Sequence, residues 1–373
     1  MSSVAQDIDA AFELCEIKAP DESIIAKFVP FGSTLTELHV KDREGKYRNV
    51  VLGYDDNTRL LTDPDHPVFN GIVGRYAGRI KNGTFSIPIA KDPKPDDCIV
   101  YHIPTNDHDG EISLVTLHGG INGWDRRSWT LIEKTPSSVT YQHVDNADEG
   151  FPGTVTAIAT HTVSDGGVLR TRVHSDHADP TYILVFLQIF DSHWYLTPGC
   201  RNLDAFRDGN EDILSHFLRL DASRYIEVDQ LAIPTGNLLD VNGGPLDFRK
   251  ERQIGDRWEE TVNLCGPGYN AGWVLDDPGE KRPVVSLRSH LSGIRLDIST
   301  NQPAVVVYTS YYLNTPRKEE HGGPALRYGP SSAIAIEQQG YIAAINTPEW
   351  GVDQIYQPGK DYEWRSEYKF SIF

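Results

Sequence analysis

The stretch Ser331–Asn346 reads SSAIAIEQQGYIAAIN. With a period of two, Ile334, Ile336 and Gln338 fall on one face of a strand, and Ala333, Ala335, Glu337 and Gln339 fall on the other. The branched face belongs against a core. The opposite face sets two alanines beside a carboxylate, which suits a cleft floor where a ligand fills the space above the sheet. A carboxylate on a rigid strand has few rotamers, and burial and neighbours set its basicity, so it can serve as a general base. The same pattern also fits an edge-strand glutamate facing solvent, the commonest kind of Glu.

Outward from this stretch the chain is rich in strand patterns. STLTELHVKD (Ser33–Asp42), TVTAIATHTV (Thr154–Val163), VLRTRVHS (Val168–Ser175), GIRLDIST (Gly293–Thr300) and PAVVVYTSYYL (Pro303–Leu313) all read as strands, separated by turns such as REGK and SDGG. Helical periodicity is confined to Ala5–Glu16 and the vicinity of Glu211–Phe217. Many strands, with 32 glycines and 23 prolines, argue for a sandwich or barrel and against a parallel α/β sheet. Two loop-like stretches, Ile89–Cys98 and Asn314–Pro330, read as surface, and the second runs into the Glu337 strand.

The composition narrows the class further. A formal charge of −18 repels phosphate backbones and anionic lipid, so a neutral ligand is expected and nucleic acid is not. No segment approaches the roughly 18 consecutive apolar residues of a membrane span. The early acidic residues and the missing apolar run disfavour a secretory leader, so a cytoplasmic location is expected. Cys15, Cys98, Cys200 and Cys265 show no paired or metal-like spacing, which fits free thiols. The glycosylation-like Asn82-Gly83-Thr84 reads as a turn. His174, Asp176, His177 and Asp179 crowd into HSDHAD, a pattern better suited to a polar strand end than to a metal cluster. No phosphate loop, nucleophile elbow or dinucleotide fingerprint is present, and no cofactor is implied.

EQQGYIAAIN resembles the signature of the aldose 1-epimerase (galactose mutarotase) family. GRYAGRIKNGTFSI (Gly74–Ile87), LHGGINGWDRRSW (Leu117–Trp129), IPTGNLLDVNGGPLDFR (Ile233–Arg249) and NQPAVVVYTSYYL (Asn301–Leu313) resemble other blocks of that family in the same order. The resemblance implies an all-β, large antiparallel β-supersandwich, a single domain over residues 1–373, and an isomerase acting on a free aldose such as glucose or galactose. It implies Glu337 as the base that takes the anomeric hydroxyl proton. Arg79, His118, Asn270 and Gln302 correspond to the family's sugar-binding positions. The tandem glycines after His118 would let backbone approach a ligand closely.

Three positions depart from the family pattern. Gly78 stands where many members have Asn, and Asn270 where an Asp is usual, which removes a charge. Tyr269 and Trp273 beside it suit either sugar stacking or core packing. The third departure concerns the proton donor. Ser192-His193 with Tyr195 matches the first half of the family's histidine block and Asn202-Leu203-Asp204 the second, but the intervening chain is roughly ten residues longer than that block. His193 is the expected acid. An interrupted block equally suits a non-catalytic sugar-binding protein of the same fold, and a purely structural β-sandwich is a more distant alternative. The oligomeric state is not legible.

Overall fold

The computed structural model describes residues 8–88, 98–109, 112–176, 201–207, 209–229, 232–356 and 360–373. Every strand pairing among them is antiparallel. A nine-stranded sheet runs Thr130–Lys134, Ser138–Asp145, Val155–Ser164, Val168–Asp176, Glu363–Ile372, Ile294–Thr300, Val285–Arg288, Phe217–Leu220 and Arg252–Gln253. A five-stranded sheet runs Pro234–Asp240, Arg224–Val228, Asn270–Val274, Ala304–Tyr308 and Ala335–Gln339. A four-stranded sheet is built from Cys15–Lys18, Ile24–Val29, Thr34–Lys41 and Tyr47–Asn49.

These sheets enclose one apolar core. Phe28 and Leu38 come from the four-stranded sheet, Tyr141 and Ala157 from the nine-stranded one, and Trp273, Val305 and Ile336 from the five-stranded one. The strand Val155–Ser164 shows how sequence drives this, since buried and half-buried residues alternate along all ten positions. The expected antiparallel sandwich is therefore present.

Turns follow local chemistry. Asp42 closes REGK by accepting from the N–H groups of Glu44 and Lys46, with Gly45 in the left-handed region. Asn82 and Gly83, both at positive φ, turn the chain from Arg79–Lys81 into Thr84–Pro88.

One helix expectation holds only in part and the other fails. Only residues 8–11 of the first are helical among those described, because Cys15 and Ile17 pair with the Ile24–Val29 strand and bury in the core. Residues 211–217 form turns that end in the Phe217–Leu220 strand, so sheet pairing overrides a short helical pattern. The strand expected over Pro303–Leu313 stops at Tyr308. Thr309 instead exchanges hydrogen bonds with Tyr269, and Ser310 takes a positive φ. Asn314–Pro330 is not all surface. His321 is buried, with Nδ1 on the Tyr328 hydroxyl at 2.7 Å and Nε2 on the Asn49 carbonyl at 2.8 Å, and Lys318 is buried beside it.

Cys15 and Cys265 are free. Among the described residues no group of His, Cys, Asp and Glu could hold a metal ion, and no helix is long and apolar enough to cross a membrane.

Candidate active site

The five-stranded sheet has a core face and a cavity face. Val305, Val307 and Ile336 point to the core. Register then places Gly272, Val306 and Glu337 directly opposite one another on three adjacent strands, and Asn270, Tyr308 and Ala335 in the neighbouring row. A cavity of about 370 Å³ opens above these rows, a size suited to a small ligand. Glu337, 1% exposed, sits at its floor. Among the described residues the strand Ala335–Gln339 is the edge of its sheet, as the solvent-facing reading required, yet all five of its residues are buried. Asn270 is two strands away from Glu337, roughly 10 Å across the sheet by ordinary strand spacing.

Arg79 and His118 arrive from a separate three-stranded sheet. Arg79 on the strand Arg79–Lys81 pairs in register with Leu117 at the end of Ile112–Leu117, which delivers His118 beside it. The His118 N–H donates to the Gly78 carbonyl at 3.1 Å, and the Gly78 N–H donates to His118 Nδ1 at 3.4 Å. An acceptor role for Nδ1 places the proton on Nε2. Burial holds the His118 pKa down at about 3, with the Arg79 charge and then His66 adding to the effect. His118 is thus a neutral imidazole at physiological pH, a hydrogen-bonding group and a poor proton source. Arg79 is half-buried and is aimed by its Nε bond to Asp107 at 2.9 Å.

The tandem glycines serve the protein's own backbone. A Cβ at Gly119 would lie 1.8 Å from the Gly74 carbonyl oxygen, and one at Gly120 would lie 2.4 Å from Glu149 Oε2. Both have positive φ, as does His118. The close approach expected toward a ligand is made instead to neighbouring chain. Gly78, at φ +72°, occupies the left-handed region that Gly and Asn tolerate best.

Glu337, Arg79, His118 and Asn270 therefore share one cavity. Gln302 does not line it. It sits at the corner where the chain passes from the nine-stranded to the five-stranded sheet, and its Nε2 donates to Asn301 Oδ1 at 2.9 Å. Four residues along the strand separate it from Val306, the partner of Glu337, roughly 13 Å in extended chain. Tyr269 and Trp273 pack in the core, and Trp273 Nε1 donates to the Leu246 carbonyl at 2.9 Å. His193 lies outside the described residues, as do His177 and Asp179.

The cavity also holds groups that the sequence reading passed over. Tyr308, Tyr312, Asn314, Asp65 and His66 line it. The parity of Tyr308 with Val306 was a readable signal. His66, in a Pro- and Asp-rich stretch with no periodicity, offered none. Gln339 shares the strand face of Glu337, and neither polar atom of its buried side chain has a hydrogen-bond partner among the described residues.

The family model for aldose 1-epimerase matches residues 14–369. An Arthroderma benhamiae protein named as a probable aldose 1-epimerase is 33% identical, over 90% of this chain and 81% of its own. The galactose mutarotase of Mus musculus is 29% identical, covering 94% of this chain and 92% of its own. A crystal structure of a C. elegans homologue of galactose mutarotase and aldose epimerase superposes with a TM-score of 0.81 at 28% identity, over 96% of this chain and 99% of that one. A family match across nearly the whole length, with the same fold and one cavity holding Glu337, Arg79, His118 and Asn270, makes this chain a member of the aldose 1-epimerase family.

Proposed function

We propose that this chain is an aldose 1-epimerase that interconverts the α and β anomers of a free hexose such as glucose or galactose. The observation that carries the reading is the position of Glu337: a buried carboxylate on a rigid strand, at the floor of a cavity whose wall also carries Arg79, His118 and Asn270. Glu337 takes the proton of the anomeric hydroxyl. The C1–O5 bond breaks as the C1 carbonyl forms, and an acid delivers a proton to O5. Rotation about C1–C2 presents the other carbonyl face, and reclosure returns both protons to their donors.

Arg79 donates to adjacent hydroxyls, and Asn270 accepts or donates without adding charge. His118 holds a hydroxyl through Nε2–H, since a group held near 3 carries almost no proton to give at neutral pH. The proposed acid is His193, on the match of Ser192-His193 to the family block.

Polarimetry on freshly dissolved α-D-glucose and α-D-galactose tests this directly. Wild-type protein should accelerate the approach to equilibrium. Glu337→Gln should lower kcat by about 100- to 10,000-fold while leaving sugar binding near wild type. A Glu337→Gln variant that keeps more than about a third of the rate removes this residue from the chemistry. Sugar binding without acceleration by the wild type would instead mark a binding protein.

A further inference from the structure

A second imidazole faces the same cavity, and it is built differently from His118. His66 Nε2 lies 2.8 Å from Asp125 Oδ2. The Asp125 side chain is 5% exposed and that of His66 is 28% exposed. An aspartate with its carboxylate on one imidazole nitrogen fixes the ring's orientation and its tautomer. Nε2–H then donates to Asp125, and Nδ1, which has no partner among the described residues, carries a lone pair.

Both members are held in place. A Cβ at Gly71 would lie 3.3 Å from Asp125 Cβ, one at Gly123 would lie 2.9 Å from Asp125 Oδ1, and one at Gly32 would lie 2.6 Å from the Asp125 carbonyl oxygen. Asp125 is thus wedged against three glycine segments, two of which leave no room for a side chain. His66 has φ +42° and precedes Pro67, a combination that a β-carbon and a following proline ring both disfavour. Its loop is latched by Asp63, which takes the Tyr54 hydroxyl at 2.9 Å and the Arg59 Nη2 at 2.9 Å. A strained residue held this firmly in a cavity wall points to a use for its side chain.

Resting on the epimerase reading, we infer that His66 is a sugar-contacting, specificity-determining residue: its Nδ1 accepts a hydrogen bond from one hydroxyl of the hexose, and Asp125 positions it. Arg79 can only donate, so an acceptor in the same wall lets the site recognise a hydroxyl by the direction of its proton as well as by its place. The device predicts dependence on a single hydroxyl, because one lone pair reads one O–H.

The test uses glucose and its 2-, 3-, 4- and 6-deoxy analogues with wild type, His66→Asn and Asp125→Asn. Asn tolerates positive φ, so His66→Asn keeps the loop while withdrawing the ring nitrogen. With glucose, His66→Asn should raise KM about 3- to 10-fold, the loss of one neutral hydrogen bond, with kcat changed less than about twofold. One deoxy analogue should show no such effect, because it already lacks the contacted hydroxyl. Asp125→Asn should single out the same analogue. An equal loss with every analogue, or a loss confined to kcat, would overturn the inference, as would variants identical to wild type. Should wild-type protein bind these sugars without turning them over, the epimerase reading fails on its own. The same variants then read the contact in Kd: coupling to one hydroxyl upholds it, and uniform affinities refute it.

Discussion

Arg201 buries its guanidinium beside the rings of Tyr368 and Phe370, 5.5 and 5.0 Å from their centroids, with no hydrogen-bond partner among the described residues for any of its three nitrogens. Burial drives its pKa well below the usual range, since little there offsets the loss of water. An aromatic side chain fits that surrounding better. Arg201→Tyr should raise stability by about 1–4 kcal/mol, read as a higher urea midpoint at unchanged slope. A lower midpoint would mean that the charge is compensated. Single residues also mark how far sequence reading reaches. Glu337 was legible because strand parity alone sets its face, whereas Gln302 was not, because its placement depends on a corner between two sheets that no local pattern encodes. His66 stayed hidden for a related reason: its partner Asp125 is 59 positions away.

At the level of elements, alternation identified the long strands, and pairing partners overruled the helical patterns at Ala5–Glu16 and Glu211–Phe217. The strand Asn270–Val274 shows what alternation misses. Gly272 lies in the row with Val306 and Glu337, and its missing side chain helps leave the floor of the cavity open. A Cβ there would meet Ile342 Cδ1 at 3.1 Å and Ile226 Cδ1 at 3.4 Å, contacts that flexible side-chain ends can relieve. Gly272→Val should therefore fold, at a cost of about 1–3 kcal/mol for overpacking, yet fill space in front of Glu337. Sugar turnover should fall at least tenfold through KM, with Gly272→Ala intermediate. Unchanged kinetics in the valine variant would show that the substrate sits elsewhere in the cavity.

Across the whole molecule, buried imidazoles set the response to acid. His161, hydrogen-bonded to Ser33 and Thr171, and His321 are each held at about 3 by burial. Unfolded histidines titrate near 6.5, so between these values the unfolded chain binds more protons. Stability is then full above about pH 6.5 and is lost as pH falls toward 3, at about 3 kcal/mol per pH unit for the two together around pH 4–6. Carboxylates such as Glu37, held at about 2 by its bond from His39, count only below about 4.5. Urea midpoints should drop between pH 7 and 5, and His161→Asn should flatten the drop by about one proton. Equal midpoints at pH 7 and 5 would refute this account. The order of strands in the large sheet was the least legible property of all, because sequence neighbours are not always sheet neighbours. The strand Glu363–Ile372, last in the chain, lies between Val168–Asp176 and Ile294–Thr300. During synthesis, the two halves of that sheet wait as open edges until Glu363–Ile372 has left the ribosome, and losing that strand removes the sheet's central seam.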